Sequence, residues 1–402
     1  MEISGPPPEG PKPTFRSYSV KRPNGPPPKP NAAGNQQQQS GSKVSKVSLE
    51  KTLEMYRMNA LKSGDDRLRF DFAKYLLDES GKTTDNALKD KLSEEAFALL
   101  KELSKAGNPD AMFTLGQAYF EDTQYTLAHP QLLAAAKRSH PGAMYLLGVL
   151  SEKGAGTKKS TKISMDFYTK SAQAGYRPAL YRLGMIEYQG LLGTKRDVRK
   201  AVMWFKRGAA VADTEHPECL YELAKIYEEG VPPHIQQDEG YALGLYKEAS
   251  ELEYPPAQNV LASCYEFGRL GCAKDLVSAL YWYGRAAEHG HPEAQFVLAG
   301  WYLHGFPPLV PKNESEAYAW TYRAAKQNHA ESQYAIGFFC EAGIGCQKSL
   351  EKAVVWYQLA SGRGEKRAEE RLRELREENP GMPALAPQVV KEGKGMFGFL
   401  KK

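Results

Sequence analysis

The chain has 402 residues, 42% of them hydrophobic and 25% charged, with a formal net charge of +5. Five irregularly spaced cysteines are too few for a disulfide framework. Nowhere does an apolar run approach the roughly 18 residues that a membrane-spanning helix needs. The charge is uneven: residues 1–48 carry seven Lys/Arg against two Glu and residues 379–402 four Lys against one Glu, which leaves a mildly acidic middle. That middle offers no continuous positive track for nucleic acid.

Residues 1–48 are rich in Pro, Gly, Ser, Asn and Gln, with Pro6–Pro8, Pro26–Pro28 and Gln36–Gln39 as runs. Such a stretch buries too little apolar surface to offset the entropy of ordering it, so a disordered, basic leader is expected. Its start has no apolar run, so no secretory signal is expected. The segment Pro27-Pro28-Lys29-Pro30 is either a polyproline surface for a groove on another protein or a plain solubilising tail.

Helical patterning begins near Leu49. Leu53, Tyr56 and Leu61, then Leu68, Phe72, Tyr75 and Leu76, predict two helices, and Leu92 to Leu103 a third that closes in Ala106-Gly107-Asn108-Pro109. Residues 49–110 therefore read as an N-terminal cap containing a degenerate repeat.

From there a pattern returns through the rest of the chain. Small residues at Ala111, Ala143, Ala179, Cys219, Ala257, Ala294, Ser332 and Ala368 are spaced 32 to 40 residues apart, and four positions after each stands a Leu or Ile. A period of this size marks a solenoid, in which no unit can bury its own apolar face and neighbours must do it. Each unit divides in two. Helix A starts at the small residue and is expected to stop at Gly154, Gly190, Gly230, Gly268, Gly305 or Gly343, with Asp122 in the glycine place of the first unit. Helix B follows an N-cap of Ser160, Asp197, Asp238, Asp275, Asn313 or Ser349, each four residues before the next small anchor. Three positions beyond that anchor come Phe167, Trp204, Leu245, Trp282, Trp320 and Trp356, and their fixed register predicts core packing, as it does for Tyr265 and Tyr302 in helix A.

The prediction is an all-α solenoid, a right-handed superhelix of antiparallel helix pairs. Seven repeats span residues 111–367, residues 368–378 form a charged C-terminal capping helix, and 379–402 a basic flexible tail. In function this is a binding surface. Candidate partner-binding residues are Glu152, Glu228, Glu266 and Glu341, which recur two places before the helix A glycine against the unfavourable helix dipole. Phe306, Leu309 and Val310 in an apolar, proline-rich loop are further candidates, as are Phe397 and Phe399 among the tail lysines, where weak peripheral contact with anionic membrane is also expected.

The unit, small-x-x-x-Leu-Gly/Ala-x-x-Tyr-x-x-Gly then Asp-x-x-x-Ala-x-x-Trp-x-x-x-Ala-Ala, resembles the Sel-one-like repeat, a relative of the tetratricopeptide repeat. The phrases CYEFGRLGCAKD (264–275), HGHPEAQFVLAGWYLHG (289–305), NESEAYAWTYRAA (313–325) and QYAIGFFCEAGIGCQKSLEKAVVWY (333–357) are similar to those of the regulatory subunits that activate fungal chitin synthases. That resemblance implies a non-catalytic cytoplasmic adaptor. It would bind a chitin synthase or its recruiting linker, act at the plasma membrane of septum or bud neck, and raise the synthase's activity. No cysteine stands near Lys402, so no prenylation box is expected. The competing readings are another adaptor of the same repeat, in membrane-protein quality control or signalling, and a hydrolase on this scaffold.

No enzyme motif supports the last of these. Four of the eight histidines, His129, His140, His216 and His291, directly precede proline, and no pair has zinc-protease spacing. Cys264/Cys272 and Cys340/Cys346 are too far apart for a structural zinc knuckle, and neither a dinucleotide fingerprint nor a nucleophile elbow occurs. No catalytic residue, cofactor, metal or small-molecule substrate is expected.

Overall fold

The computed structural model describes residues 49–378, which form eighteen helices and, beyond two isolated β-bridges, no strand. They fall into two compact units, residues 49–211 and 212–378. The first holds α1 (Leu49–Ser63), α2 (Asp66–Lys82) and α3 (Asn86–Ala106), then the hairpins α4/α5 (Pro109–Glu121, Tyr125–Ala136), α6/α7 (Pro141–Lys153, Thr161–Gln173) and α8/α9 (Arg177–Gln189, Val198–Ala209). The second holds α10/α11 (Glu218–Glu229, Glu239–Glu251), α12/α13 (Pro255–Phe267, Leu276–Glu288), α14/α15 (Pro292–His304, Glu314–Lys326), α16/α17 (Ala330–Ala342, Leu350–Ser361) and the closing α18 (Lys366–Glu378). Within each unit a helix packs on those before and after it in the chain. The architecture is an all-α solenoid of paired antiparallel helices.

Local chemistry accounts for the hairpins. Ser160, Asp197, Asp238, Asp275, Asn313 and Ser349 all accept a hydrogen bond from a backbone N–H in the first turn of helix B. Helix A begins two residues ahead of its small anchor where Pro141, Pro255 and Pro292 supply the first position, and proline loses nothing there because its missing N–H would have no partner. His140, His291 and His329 cap helix A by accepting a backbone N–H on Nδ1. Burial pushes the His140 and His291 imidazoles below their ordinary range, which keeps Nδ1 an acceptor.

Helix A ends in glycine with positive φ at Gly154, Gly190, Gly230, Gly268, Gly305 and Gly343. Gly230 and Gly305 depart from the left-handed helical geometry of the other four, with ψ of 158° and 152°. Those two open the proline loops. In the first hairpin Asp122 keeps a negative φ and Thr123 takes the positive one, at 60°.

The seam between helices A and B is built from the small anchors. Ala111, Ala143, Ala179, Ala257, Ala294, Ser332 and Ala368 have no exposed surface, nor do Ala201, Ala242, Ala279, Ala317 and Ala353 of the B helices. The large partner on helix B is not the expected one throughout. Trp204 and Trp320 are buried, at 8% and 1% exposed. Trp282 and Trp356 are only half-buried at the edge of their clusters, as are Tyr265 and Tyr302 of the A helices. The side chains that fill the seam stand one place later: Tyr168, Phe205, Tyr246, Tyr283, Thr321 and Tyr357, none more than 3% exposed. They lie four residues beyond the anchor and so directly above it on the helix surface, whereas the position three beyond is buried at Trp204, Leu245 and Trp320 but reaches the margin at Phe167, Trp282 and Trp356. Close approach depends on the opposing small residue. A Cβ added at Gly184 would lie 2.3 Å from the Phe205 ring, and at Gly148 and Gly337 2.6 Å from Tyr168 and Tyr357.

Candidate functional site

The glutamate column joins successive repeats. Glu152 in the last turn of α6 accepts the Tyr168 hydroxyl at 2.7 Å from its own hairpin and binds the guanidinium of Arg182 from α8. Glu228 of α10 accepts Tyr246 at 2.7 Å, and Arg269, just beyond α12, donates to its other oxygen at 2.6 Å. Glu341 of α16 accepts Tyr357 at 2.7 Å and is forked by Arg371 of α18, whose Nε lies at 3.3 Å. Each carboxylate therefore ties helix A to helix B within a repeat and both to the next repeat. Glu266 of α12 accepts Tyr283 at 2.7 Å. No guanidinium of the described residues completes this fourth clamp.

In this arrangement Glu152, Glu228 and Glu341, expected as partner-binding residues, take donors from their own and the next repeat. Charge-assisted bonds to Tyr and Arg offset the unfavourable helix-end position. The Arg371 guanidinium holds the Glu341 carboxyl below the usual carboxylate range. Burial, followed by the glutamate bond, pushes the hydroxyls of Tyr168, Tyr246, Tyr283 and Tyr357 far up. Because these tyrosines hold their protons in the folded protein to higher pH than in the unfolded chain, the stability they contribute is complete below about pH 10 and declines as pH rises above it. Denaturant midpoints measured from pH 8 to 11 are expected to fall above pH 10. Replacing Tyr246 and Tyr283 together by Phe should flatten that fall.

The tyrosine and arginine partners were not singled out from the sequence, although a signal exists. Where the glutamate position holds Tyr188 or Leu303 instead, the facing helix B position holds Phe205 or Thr321, so Glu and Tyr appear together and vanish together. A second missed set is Gln258, Gln295 and Gln333, one place after the anchor. Their side-chain amides donate to the carbonyls of Ser250, Ala287 and Ala325 at the end of the preceding helix B, at 2.9 to 3.1 Å. Each of these carbonyls also accepts the N–H three residues on, so the amide adds a second donor where a helix end leaves no partner four residues on.

The proline loops are alike. In each a pair of backbone hydrogen bonds closes the turn, Val231 with Ile235 and Phe306 with Val310, leaving Pro232, Pro233 and His234, and Pro307 and Pro308, exposed at the tips. The apolar side chains turn inward. Val310 is 3% exposed, which removes it as a free contact. Phe306 stacks on Trp301 with centroids 5.3 Å apart, and both Phe306 and Leu309 pack against the α13–α15 cluster. Val310 is therefore an anchor rather than a docking residue, and the exposed portion of the loop is its proline tip. Phe397 and Phe399 lie outside the described residues.

Among the described residues no three His, Cys, Asp or Glu side chains gather to hold a metal, and no helix is long and apolar enough to cross a membrane. An open depression of about 320 Å³ beside the first proline loop is lined by Tyr227, His234, Ile235, Gln236, Gln237 and Asp238. Cys219 and Cys264 are buried, and burial raises their thiols to about 12 and about 11, as befits packed side chains rather than nucleophiles.

Tandem helical hairpins stapled by polar clamps define an α-solenoid interaction scaffold. The chain belongs to the Sel1 repeat family, whose pattern matches residues 141–176, 177–212, 217–254, 255–291, 292–329 and 330–365. The crystal structure of a Sel1 repeat protein from Oxalobacter formigenes superposes with a TM-score of 0.57 at 27% identity, covering 81% of this chain and 90% of that one. The chain is homologous to fungal chitin synthase regulators. It is 33% identical over 369 residues to Chitin synthase regulator SKT5 of Saccharomyces cerevisiae, covering 86% of this chain and 53% of that protein. It is 37% identical over 355 residues to the protein of the same name from Malassezia restricta, covering 84% of this chain and 25% of that protein. The chain thus spans about half the length of the first relative and a quarter of the second.

Proposed function

We propose that this protein is a non-catalytic adaptor that binds a chitin synthase, or the linker that recruits one, and promotes its activity and placement at sites of cell wall or septum synthesis. The observation that carries this reading is the extent of the likeness. The match to the yeast regulator covers 86% of the chain. The solenoid suits the role physically, because the clamps hold successive hairpins in register while the proline tips and outer helix faces stay free for a partner. In this reading residues 111–367 form the recognition array between caps at 49–110 and 368–378. In this reading the protein acts in the cytoplasm and is recruited to the membrane by its partner.

Affinity capture of the full chain from solubilised host membranes tests the proposal directly. A chitin synthase is expected in the captured fraction, and its absence there would remove the partner. Deleting the gene and measuring both wall chitin and synthase position separates the two roles. Loss of polymer with the enzyme in place indicates activation, and loss of both indicates delivery. Unchanged wall chitin overturns the proposal.

A further inference from the structure

Four repeats build the same acceptor, and three fill it from inside the chain. The arginine arrives by one of two routes. Arg182 and Arg371 stand three places after the small anchor of the following helix A, at Ala179 and Ala368, and reach Glu152 and Glu341. Arg269 stands one place after the terminal Gly268 of the following helix A and reaches Glu228. For Glu266 both positions are apolar: Val297 is three places after Ala294, and Phe306 follows Gly305. The Glu266 side chain is nonetheless held as its counterparts are, by a tyrosine hydroxyl at 2.7 Å, and it remains half-buried.

Aromatic rings neighbour the tyrosine of this clamp. Tyr283, which holds the carboxylate, meets Trp301 edge-on at 5.9 Å, and Trp301 stacks on Phe306. A guanidinium donates two parallel hydrogen bonds to a carboxylate and lies readily on aromatic faces, which a lysine ammonium does less well. We infer that Glu266 is a socket for an arginine side chain supplied by a partner protein, filling the place that Arg182, Arg269 and Arg371 fill in the other clamps. The class of ligand is thus shown by the molecule itself, in three copies. That the partner is the synthase rests on the function proposed above; the socket does not.

The test uses the full chain and a fluorescein-labelled peptide, Ala-Leu-Arg-Leu-Ala, read by anisotropy. The wild type is expected to bind it at least about tenfold more tightly than the lysine counterpart peptide, by the difference between a fork and a point charge. Val297→Arg supplies the missing guanidinium from within, as at Arg182 and Arg371. It should leave Tm unchanged or raised and reduce peptide binding at least about tenfold, the loss of one charge-assisted contact. Glu266→Gln removes the charge while keeping the volume and the Tyr283 contact, and should weaken binding as much, which guards against a folding defect in the first variant. Capture of chitin synthase by the wild type and its loss with Val297→Arg would identify the synthase as the source. Peptide binding without any synthase captured would sink the functional proposal and leave the socket standing. The inference is overturned if the wild type does not discriminate arginine from lysine, or if both variants bind like wild type. Peptide binding that appears only after Arg16 and Arg22 are replaced by Gln would overturn it too, by assigning the socket to the chain's own N-terminal segment.

Discussion

Tyr246→Ala is expected to destabilise the second unit by about 3–5 kcal/mol, the range for emptying a fully buried aromatic site. Tyr246 is 1% exposed, packs edge-on against Tyr221 at 5.8 Å, and carries Glu228 on its hydroxyl. Truncation removes the ring from the α10–α11 seam and leaves Glu228 with Arg269 as its remaining partner. Tyr246→Phe separates the two contributions. It keeps the ring and deletes one hydrogen bond to a charged acceptor, so a loss of about 1.5–3 kcal/mol is expected. Phe338→Ala, at a side chain 47% exposed, should stay within about 0.5 kcal/mol and serves as the surface control. Urea midpoints of the three variants, followed by far-ultraviolet circular dichroism, would check the order. A Tyr246→Ala loss no larger than the control would mean that the anchor-plus-four column does not fill the seam.

At the C-terminal end the clamp between Glu341 and Arg371 couples α18 to the array. Arg371 also meets Glu374 and Glu378 of its own helix, at 2.7 and 3.1 Å. Arg371→Ala therefore leaves Glu341 held by Tyr357 alone and brings it near two unneutralised carboxylates. A loss of about 1–3 kcal/mol is expected, set by charge-assisted hydrogen bonds at side chains roughly a quarter exposed and so partly screened by solvent. The double variant with Glu341→Gln should lose less than the sum of the singles.

The sign of the pH dependence follows from Glu341. Its folded pKa lies below the ordinary value of 4.5, so the clamp's contribution is complete above that value and is lost as pH falls through the lower folded one. The half-buried caps His140 and His291 respond earlier. Their folded pKa values lie below 6.5, so the stability they contribute is present above pH 6.5 and begins to fall beneath it. Thermal melts between pH 7 and pH 3 are expected to show both windows, and only the lower should shrink in the Glu341→Gln variant, with Asp197, Asp275 and Glu365, also held below their ordinary range, keeping the remainder. A melt unchanged down to pH 3 would exclude the clamp as a source of stability.

Caps, small anchors and terminal glycines were readable because each acts on its own few residues of backbone. Asp275 accepts from an N–H within three residues of itself, and Gly343 closes the helix that it follows. The helix B core face takes in two adjacent positions: the one three beyond the anchor, where Trp204, Leu245 and Trp320 are buried and Trp282 and Trp356 half-buried, and the one four beyond, where Tyr283 and Tyr357 sit above Ala279 and Ala353. The glutamate column was visible, but its meaning was not. Its tyrosines lie 16 to 18 residues away and its arginines 30 to 41.

What this amino-acid order determined by itself is the repeat: where each helix starts and stops, and which small residues let the pair close. Those features depend on hydrogen bonds and sterics within one or two helical turns. Only the folded array decided which charges are spent within the protein and which are offered outward. That depends on side chains from adjacent hairpins meeting in space. Glu228 and Glu266 look alike along the chain, and they differ because Arg269 stands over the first while Val297 and Phe306 occupy the corresponding places beside the second.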